Sequence, residues 1–527
     1  MDSKELLQFC LEKGILLDGE VLNLLSDATD SKTAKLIIEK IKESTHERFI
    51  TKSIFERNKE KVSEFFLELP TESQKRLEKL KIKLGLSIEI SQEVQKETIN
   101  EVILKKEEET NPVKIFSTAS FSTKKLEVGD FVTYFRNRFS EMRDILQNRS
   151  QLDNLVSINK ISGNNQKISL IGLVSDKKFT KNRNILLEVE DLTGKIRLLV
   201  GANKKDVYEK AEEITLDSVI GFKCSGNREI LFVNDIFSPE SNIFERKKSP
   251  VEEYALFIGD LHVGSKLFLE KSFLKFIDYL NGKLPNTPEA GKIKYLFIVG
   301  DVVSGVGAYP NQERDLQISD LEGQFLKFAE FLGKIRKDIQ IIISPGNHDG
   351  VRLMEPQPIF GEKYAWPLYN LKNVILTTNP CNVTIGEKKN FPGFNVLTYH
   401  GFSYPYYVNN IPSLISAKAI HSPNLIMKYL LMNRHLAPTH SSNQYYPSPK
   451  DPLLIREIPD IMVSGHLHKS HISYYNNILM IAISSWEGIT ANEEKMGLEP
   501  DFCKVPMFNL KTRAIKILDF EEKEDGD

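Results

Sequence analysis

Five apolar runs in the C-terminal half of the chain each end in a short polar cluster. The runs are YALFIGD, KYLFIVGD, IQIIISPGNHD, FNVLTYHG and DIMVSGHLH, at residues 254–260, 294–301, 339–349, 394–401 and 460–468. They lack the polar–apolar alternation of half-exposed strands, which is typical of strands that are covered on both faces. Helical patterns separate them, so the sequence predicts an α/β fold with its polar residues at the strand ends.

The polar clusters contain side chains that bind metal ions. They supply Asp260, His262, Asp301, Asn347, His348, His400, His466 and His468. The chain has 10 His, and five of them lie in these clusters, so chance placement of buried histidines does not explain the set. Asp, Asn and His donors without thiolates suit borderline cations such as manganese, iron or zinc, and they argue against a closed structural zinc site.

Spacing within the clusters adds two expectations. Asp260 and His262 are two residues apart, as are His466 and His468, and residues at this spacing on a strand project to the same side. Glycines also precede or begin the polar turns, which predicts a tightly bent backbone close to the ions. These glycines are Gly259, Gly300, Gly346 and Gly465.

In this order the motifs DLH, GD, GNHD, H and GHLH resemble the calcineurin-like metallophosphoesterase superfamily. The resemblance implies a four-layer αββα domain over residues 250–520 that binds two divalent cations. Its implied ligand sets are Asp260, His262 and His468 for one ion, and Asn347, His400 and His466 for the other, with Asp301 as the bridge. Paired cations lower the pKa of a shared water and bind the oxygens of a phosphate.

Two residues beside the ligands have expected roles, and the superfamily implies that of His348. His348 would contact the phosphate and protonate the leaving oxygen as a general acid. Asp349 would orient His348 as a neighbour behind the ligands, or alternatively cap a helix.

Three further segments are expected before this domain. Residues 1–70 show helical periodicity and predict a small all-α module. Residues 71–125 are crowded with charge and predict a flexible linker. Residues 126–245 contain an amphipathic helix and then a strand, a hairpin, a helix and two strands, which is the order of an OB-fold β-barrel.

Two details of the predicted barrel follow from its sequence. The DLTG turn at 191–194 is expected to join the hairpin strands, with its glycine available for a positive φ. The strand aromatics are few, so a structural or subunit-docking role for the barrel is at least as well supported as binding of single strands.

The flanking segments resemble a narrower family. GVGAYPNQE, RHLAP, DPLLIREIPDIMVSGHLH, SSWEGIT and VPMFNLKT are similar to the small subunits of archaeal D-family DNA polymerases. This resemblance implies a 3′–5′ exonuclease that trims mismatched primer ends, with manganese as the favoured cation and iron, zinc or magnesium as alternatives. The implied partners are a large polymerase subunit and the 3′ end of a DNA primer, and contact with a sliding clamp stays open.

Two other functions are compatible with parts of the sequence. One is a structural subunit that tethers the large subunit with little catalysis, and the intact ligand set with His348 argues against it. The other is a metallophosphatase of the same superfamily, and the preceding barrel argues against that.

Several residues near the motifs have two interpretations. Tyr404, Tyr406 and Tyr407 would stack on bases or pack an ordinary loop. Arg434 would contact a phosphate, on charge alone. Phe402 stands where the family commonly has a basic residue, which puts one substrate contact in doubt. The other histidines at 421, 435, 440 and 471 are expected to be structural or at the surface.

Composition sets the wider limits. Lys+Arg 70 against Asp+Glu 72 gives a formal charge of -2, so contact with nucleic acid requires local basic patches or a partner. Cys10, Cys224, Cys381 and Cys503 form no CxxC pair, which disfavours a disulfide framework. There is no basic-then-apolar leader and no apolar run near the roughly 18 residues of a membrane span. We therefore expect a soluble cytoplasmic protein.

Overall fold

A computed structural model describes residues 3–13, 15–18, 21–22, 34–35, 38–39, 49–50, 113–115 and 125–522. The chain divides into two compact units, Met1–Asn111 and Pro112–Asp527. In the first unit the described elements include helix α1 (Ser3–Glu12) and the strands β1 (Leu16–Leu17) and β2 (Phe49–Ile50), which pair in parallel. The all-α expectation for residues 1–70 is therefore not confirmed, because two of its described segments form strands.

The predicted linker over 71–125 lies mostly outside the described residues, and one described part of it contradicts the prediction. Val113–Ile115 forms strand β3, which pairs antiparallel with the strand Cys381–Ile385. Val113 is buried among core residues of the second unit. The sequence did not indicate this strand, because three residues are enough to extend the edge of a sheet and bury one valine. A strand this short leaves no hydrophobic pattern within a charged segment.

In the second unit, β3 is followed by the predicted amphipathic helix and a barrel. Helix α2 (Val128–Leu146) buries Phe139, Met142 and Leu146, as its spacing predicts, and also buries Tyr134 and Arg138. The elements that follow are β4 (Gln166–Phe179), β5 (Ile185–Asp191), β6 (Gly194–Val200), α3 (Lys205–Glu212), β7 (Val219–Gly226) and β8 (Leu231–Phe237). The strands close into a barrel in the order β4-β5-β6-β8-β7.

The hairpin turn between β5 and β6 forms differently from the prediction. Gly194 is not among the residues with positive φ. Instead the Asp191 side chain accepts hydrogen bonds from the backbone N–H groups of Thr193 and Gly194, at 2.7 and 3.0 Å. An aspartate that binds its own turn makes a left-handed glycine unnecessary.

The remaining residues build two six-stranded sheets with helices between the strands. In chain order the elements are β9 (Tyr254–Ile258), α4 (Glu270–Leu280), β10 (Ile293–Val299), α5 (Leu321–Gly333), β11 (Gln340–Ser344), α6 (Glu362–Tyr369), β12 (Val374–Leu376), β13 (Cys381–Ile385), β14 (Phe394–Tyr399), α7 (Tyr404–Asn410), α8 (Pro412–Ser416), α9 (Pro423–Asn433), β15 (Ile461–Ser464), β16 (His471–Tyr475), β17 (Ile478–Ala482), α10 (Ala491–Met496), β18 (Lys504–Asn509) and β19 (Ile515–Asp519).

The first sheet has the order β12-β11-β10-β9-β18-β19, and the second has β16-β17-β15-β14-β13-β3. One apolar core, with residues such as Phe257, Phe297 and Val463, lies between the sheets. A second core joins the outer face of the first sheet to α4 and α5, and a third joins the outer face of the second sheet to α7 and α9. The layers are therefore helix, sheet, sheet and helix. Among the described residues, none of the helices has the length and hydropathy of a membrane span.

A buried polar network attaches α2 to the second sheet's helical layer. The Asp451 carboxylate accepts hydrogen bonds from Tyr134 Oη at 2.7 Å, Arg138 Nε at 2.6 Å and His435 Nε2 at 2.8 Å. The other ring nitrogen of His435 accepts from the backbone N–H of Ala437. The carboxylate and the guanidinium are both almost fully buried, so their charges compensate each other. His435 is thus structural, as expected.

The buried imidazole of His435 predicts that stability falls in mild acid. Burial, reinforced by the charge of Arg138, lowers the pKa of His435 to about 4, whereas an unfolded histidine titrates near ~6.5. Because the folded pKa is the lower one, the unfolded chain takes up the proton first. The contribution of neutral His435 to the stability of the folded chain is complete above the unfolded pKa of ~6.5. It is lost as the pH falls from there toward the folded pKa of about 4. We expect this histidine to account for a loss of about 3 kcal/mol between pH 7 and pH 4.

Urea unfolding of the full chain and of His435→Gln at both pH values measures this loss as a difference between the two proteins. The exposed His421 provides the matched control, because His421→Gln removes an imidazole that water already surrounds. Equal acid sensitivity in the parent and in His435→Gln would contradict the explanation.

Candidate metal centre

The predicted site residues follow the carboxyl ends of five strands. Asp260 and His262 follow β9, Asp301 follows β10, and Asn347 and His348 follow β11. In the first sheet β9, β10 and β11 are parallel neighbours, and in the second sheet β14 and β15 are also parallel. Their carboxyl ends therefore meet at one edge of each sheet. The second sheet contributes the remaining residues, which are His400 after β14 and His466 and His468 after β15.

The structure brings these side chains into overlapping groups whose donor atoms lie within 4.8 Å of one another. One group is Asp260, His262 and His468, and a second is Asp301, His400 and His466. A third is formed by His262, Asp301 and His348, so that Asp301 belongs to two groups.

Individual distances show how closely the donors approach. His262 Nε2 and His468 Nε2 are 3.3 Å apart. His400 Nε2 lies 3.2 Å from Asp301 Oδ2 and 2.9 Å from Asn347 Oδ1. All the residues that the sequence nominated as ligands therefore lie at one site.

The backbone of the ligand residues differs from the prediction based on strand alternation. β9 ends at Ile258 and β15 at Ser464, so neither pair of ligands lies on a strand. Asp260, His262, Asp301, His466 and His468 instead have positive φ between 45° and 71°. Left-handed residues turn the chain sharply, so these ligands lie in bent loops beyond the strand ends, where strand alternation does not set the direction of their side chains.

The glycines beside the ligands act mainly by allowing close approach. A Cβ on Gly346 would lie 2.2 Å from Asp301 Oδ1, and one on Gly465 would lie 2.6 Å from Asp260 Oδ2. A Cβ on Gly300 would lie 2.1 Å from His400 Nδ1, and Gly300 also has a φ of +75°. The predicted bend is thus confirmed at Gly300. At Gly346 and Gly465, which lack a positive φ, missing side-chain volume is what matters.

The donor set fits divalent cations. Asp260 Oδ1 and His400 Nδ1 are buried, and neither has a hydrogen-bond partner among the described residues. Buried polar atoms without partners are costly, and a cation would compensate them. Burial holds the pKa of His262 well below its ordinary value and lowers the pKa of His466 to about 3. These two rings are therefore neutral and keep lone pairs for a metal.

The two carboxyl groups respond differently to this environment. Burial raises the pKa of Asp260 to about 6, and the charge of Asp301 acts in the same direction. Burial also disfavours the charged form of Asp301, but His400 and His348 outweigh it and keep its pKa well below the usual range. Asp301 thus carries the stable negative charge of the site.

His348 is held by the loop after β10. Its Nδ1 lies 2.8 Å from the carbonyl oxygen of Ser304, and its backbone N–H donates to Asp301 Oδ1 at 2.8 Å. A donating Nδ1–H leaves Nε2 as the ring nitrogen available to a substrate.

Asp349 contacts the backbone of the loops beside His348, so an orienting role through these loops stays a prediction. Its carboxylate accepts from the backbone N–H groups of Val303 and Gly346, at 3.0 and 2.7 Å, and neither bond caps a helix. It is almost fully buried. The carboxylate thus ties together the loops that hold His348, while the carbonyl of Ser304 orients the imidazole directly.

Three of the other residues singled out in the sequence are buried, and Phe402 packs against a proposed ligand. Tyr404 and Tyr407 are fully buried in the core of the second sheet's helical layer, which favours packing over base stacking. Arg434 is also buried and donates from Nε to the carbonyl of Ile455, so its proposed phosphate contact is wrong. Phe402 packs edge-on against His466, with ring centroids 5.7 Å apart.

The sequence interpretation missed two acidic residues behind the histidines. Glu493 Oε1 lies 2.8 Å from His468 Nδ1, and Glu487 Oε2 lies 3.8 Å from His262 Nδ1. One signal was available, because Thr490 and Glu493 have the spacing of a capping box. That motif predicts a helix start, but it does not predict a contact with a histidine of another loop.

Comparison with known proteins gives concordant results. A family model described as calcineurin-like phosphoesterase matches residues 255–470. The DNA polymerase II small subunit of Pyrococcus furiosus is 36% identical over 400 residues, which are 74% of this chain and 63% of that protein. The corresponding protein of Methanothermobacter thermautotrophicus is 33% identical over 410 residues, 77% of this chain and 82% of that protein. The one from Archaeoglobus fulgidus is 35% identical, with 74% and 77% covered.

Gly346→Ala tests the packing of the site. The added methyl group would overlap Asp301, so we expect binding of Mn²⁺ to weaken strongly while far-UV circular dichroism stays unchanged. Gly333→Ala is the matched control, because a Cβ at Gly333 meets nothing within 4 Å. Elemental analysis after dialysis against Mn²⁺ measures the bound metal. Parent-like binding by Gly346→Ala would contradict the close approach of this glycine to Asp301.

Proposed function

Because the chain belongs to the family of DNA polymerase II small subunits, we propose that it hydrolyses phosphodiester bonds at the 3′ end of a DNA primer, as the two-metal proofreading subunit of a polymerase. The observation that carries the proposal is the convergence of the donor groups and His348 at one site. Membership of the family supports DNA as the substrate, and the donor groups support metal-dependent phosphodiester hydrolysis as the reaction.

The proposed ligand sets follow the groups in the structure. Asp260, His262 and His468 would hold one cation. Asn347, His400 and His466 would hold the other, and Asp301 would contact both. Manganese is the cation that we propose, since its preference for oxygen and imidazole donors matches the set. Two bound cations would supply a nucleophile at neutral pH and neutralise the charge of the phosphate.

His348 is the proposed general acid. Its Nδ1 is engaged by the carbonyl of Ser304, so the proton that it can give to a leaving oxygen is at Nε2. Its donor atom belongs to a group with His262 and Asp301. The imidazole thus lies beside two proposed ligands, where it would reach a phosphate bound to the cations without being needed as a ligand itself.

We also propose that the closed barrel is an OB-fold and that the chain assembles with a large polymerase subunit. The parallel pairing of β6 with β8 and the helix between β6 and β7 support the fold assignment. The partner is proposed because these relatives are small subunits of a DNA polymerase. The matched region spans 63% of the length of the Pyrococcus furiosus protein. Assembly of this chain with a large subunit is therefore a proposal.

Removal of the His348 imidazole is expected to abolish proofreading without removing metal. In His348→Ala, stepwise shortening of a 3′-mismatched primer with Mn²⁺ should fall by about 100-fold or more, because the leaving oxygen loses its proton donor. Bound Mn²⁺ should stay at the parent level. His421→Ala is the matched control, since His421 is exposed on a short turn.

Three comparisons distinguish the alternatives. EDTA should stop the parent reaction. If the chain hydrolyses p-nitrophenyl phosphate but does not shorten the primer, it is a phosphatase instead. An inactive parent chain that stays inactive after addition of the large subunit would leave a structural subunit as the explanation.

A further inference from the structure

The segment that follows β17 contacts Asp260, His262 and His468, the three ligands proposed for one cation position alone. The backbone N–H of Trp486 donates to the carbonyl of Asp260 at 2.9 Å, and Ser485 Oγ donates to the same carbonyl at 3.1 Å. Glu487 approaches His262 to 3.8 Å, and Glu493 binds His468 at 2.8 Å. At the other cation position, the carboxylates recorded within 4 Å of His400 among the described residues belong to Asp260 and Asp301, which are themselves proposed ligands.

Glu493 is held in place by its own helix start. Its Oε2 accepts from the backbone N–H and the hydroxyl of Thr490, both at 2.8 Å, which leaves Oε1 for His468. The two side chains of the His468–Glu493 pair are only 14% and 13% exposed. A carboxylate fixed in this way can accept one defined hydrogen bond from the imidazole.

That bond determines which ring nitrogen faces the site. Nδ1–H of His468 donates to Glu493, so Nε2 is the ring nitrogen that faces the site, 3.3 Å from His262 Nε2. A carboxylate behind a ligand histidine fixes its tautomer and ring orientation and makes it a stronger donor.

We propose that Glu493 is the positioning residue for the cation position formed by Asp260, His262 and His468, and that it makes this position bind its ion more tightly. The proposal rests on the metal centre proposed above. Glu493 contacts no reacting atom, and its effect on a substrate is transmitted through His468.

The test measures binding of Mn²⁺ to the full chain by calorimetry and by the EPR signal of free Mn²⁺. The parent should bind two ions. In Glu493→Ala one ion should bind as in the parent, and the other should bind 10- to 100-fold more weakly. Glu493→Gln should fall between the two, because glutamine keeps a capping box and an acceptor but removes the charge.

Two controls separate positioning from local fraying of α10. Thr490→Val removes the hydroxyl of the capping box but keeps the carboxylate and its hydrogen bond from the backbone N–H of residue 490, so it should bind both ions within about threefold of the parent. Glu494→Ala removes the exposed neighbouring carboxylate and should bind both ions like the parent.

Two outcomes would overturn the proposal at different levels. If the parent binds two ions and Glu493→Ala binds both equally well, Glu493 is not a positioning residue, although the metal centre stands. If the parent binds no Mn²⁺, the metal centre itself fails, and this proposal fails with it.

Discussion

Two buried carboxylates divide their oxygens between a neighbouring loop and the centre of the site. Asp260 Oδ2 accepts from the backbone N–H of His466, and its other oxygen has no partner among the described residues. Asp301 Oδ1 accepts from the backbone N–H of His348, and its Oδ2 faces His400. Since His466 follows a strand of the second sheet, Asp260 joins loops from both sheets. Hydrogen bonds from the ligand carboxylates therefore connect the loops that carry the proposed ligands, so each of these loops restrains another.

This arrangement explains how the chain tolerates so many left-handed residues. Each non-glycine residue with positive φ costs on the order of 1 kcal/mol or more, so surrounding bonds must hold it. Asp260 and His262 donate their backbone N–H groups to the carbonyls of Gly300 and Asp301, each at 3.0 Å. The strained turns and the bonds between loops thus depend on each other. Loss of one glycine contact would disturb several ligands together.

The sequence predicted the chemistry of the site better than its backbone. Apolar runs fix where strands lie, and neighbouring parallel strands bring their ends together, so the convergence of Asp260 and Asp301 followed from pattern alone. The turn geometry did not follow, because spacing by two implies a common face only if the residues stay on the strand. The edge strand at Val113 was hidden for a similar reason. Its partner is Ile385, and no local pattern in a charged segment indicates a pairing so distant in the chain.

Residues that serve through position alone leave no mark in a sequence motif. Ser304 holds His348 with its backbone carbonyl, and every residue type has one. Asp451 meets Arg138 across 313 positions, so neither residue's neighbours reveal the pair. Glu493 is intermediate, since its capping motif is visible but its bond to His468 is not. Ligands must be particular residue types, and a motif records that requirement. Their supports need only an acceptor at one point in space, which different residues can supply, so they become identifiable only once the loops are assembled.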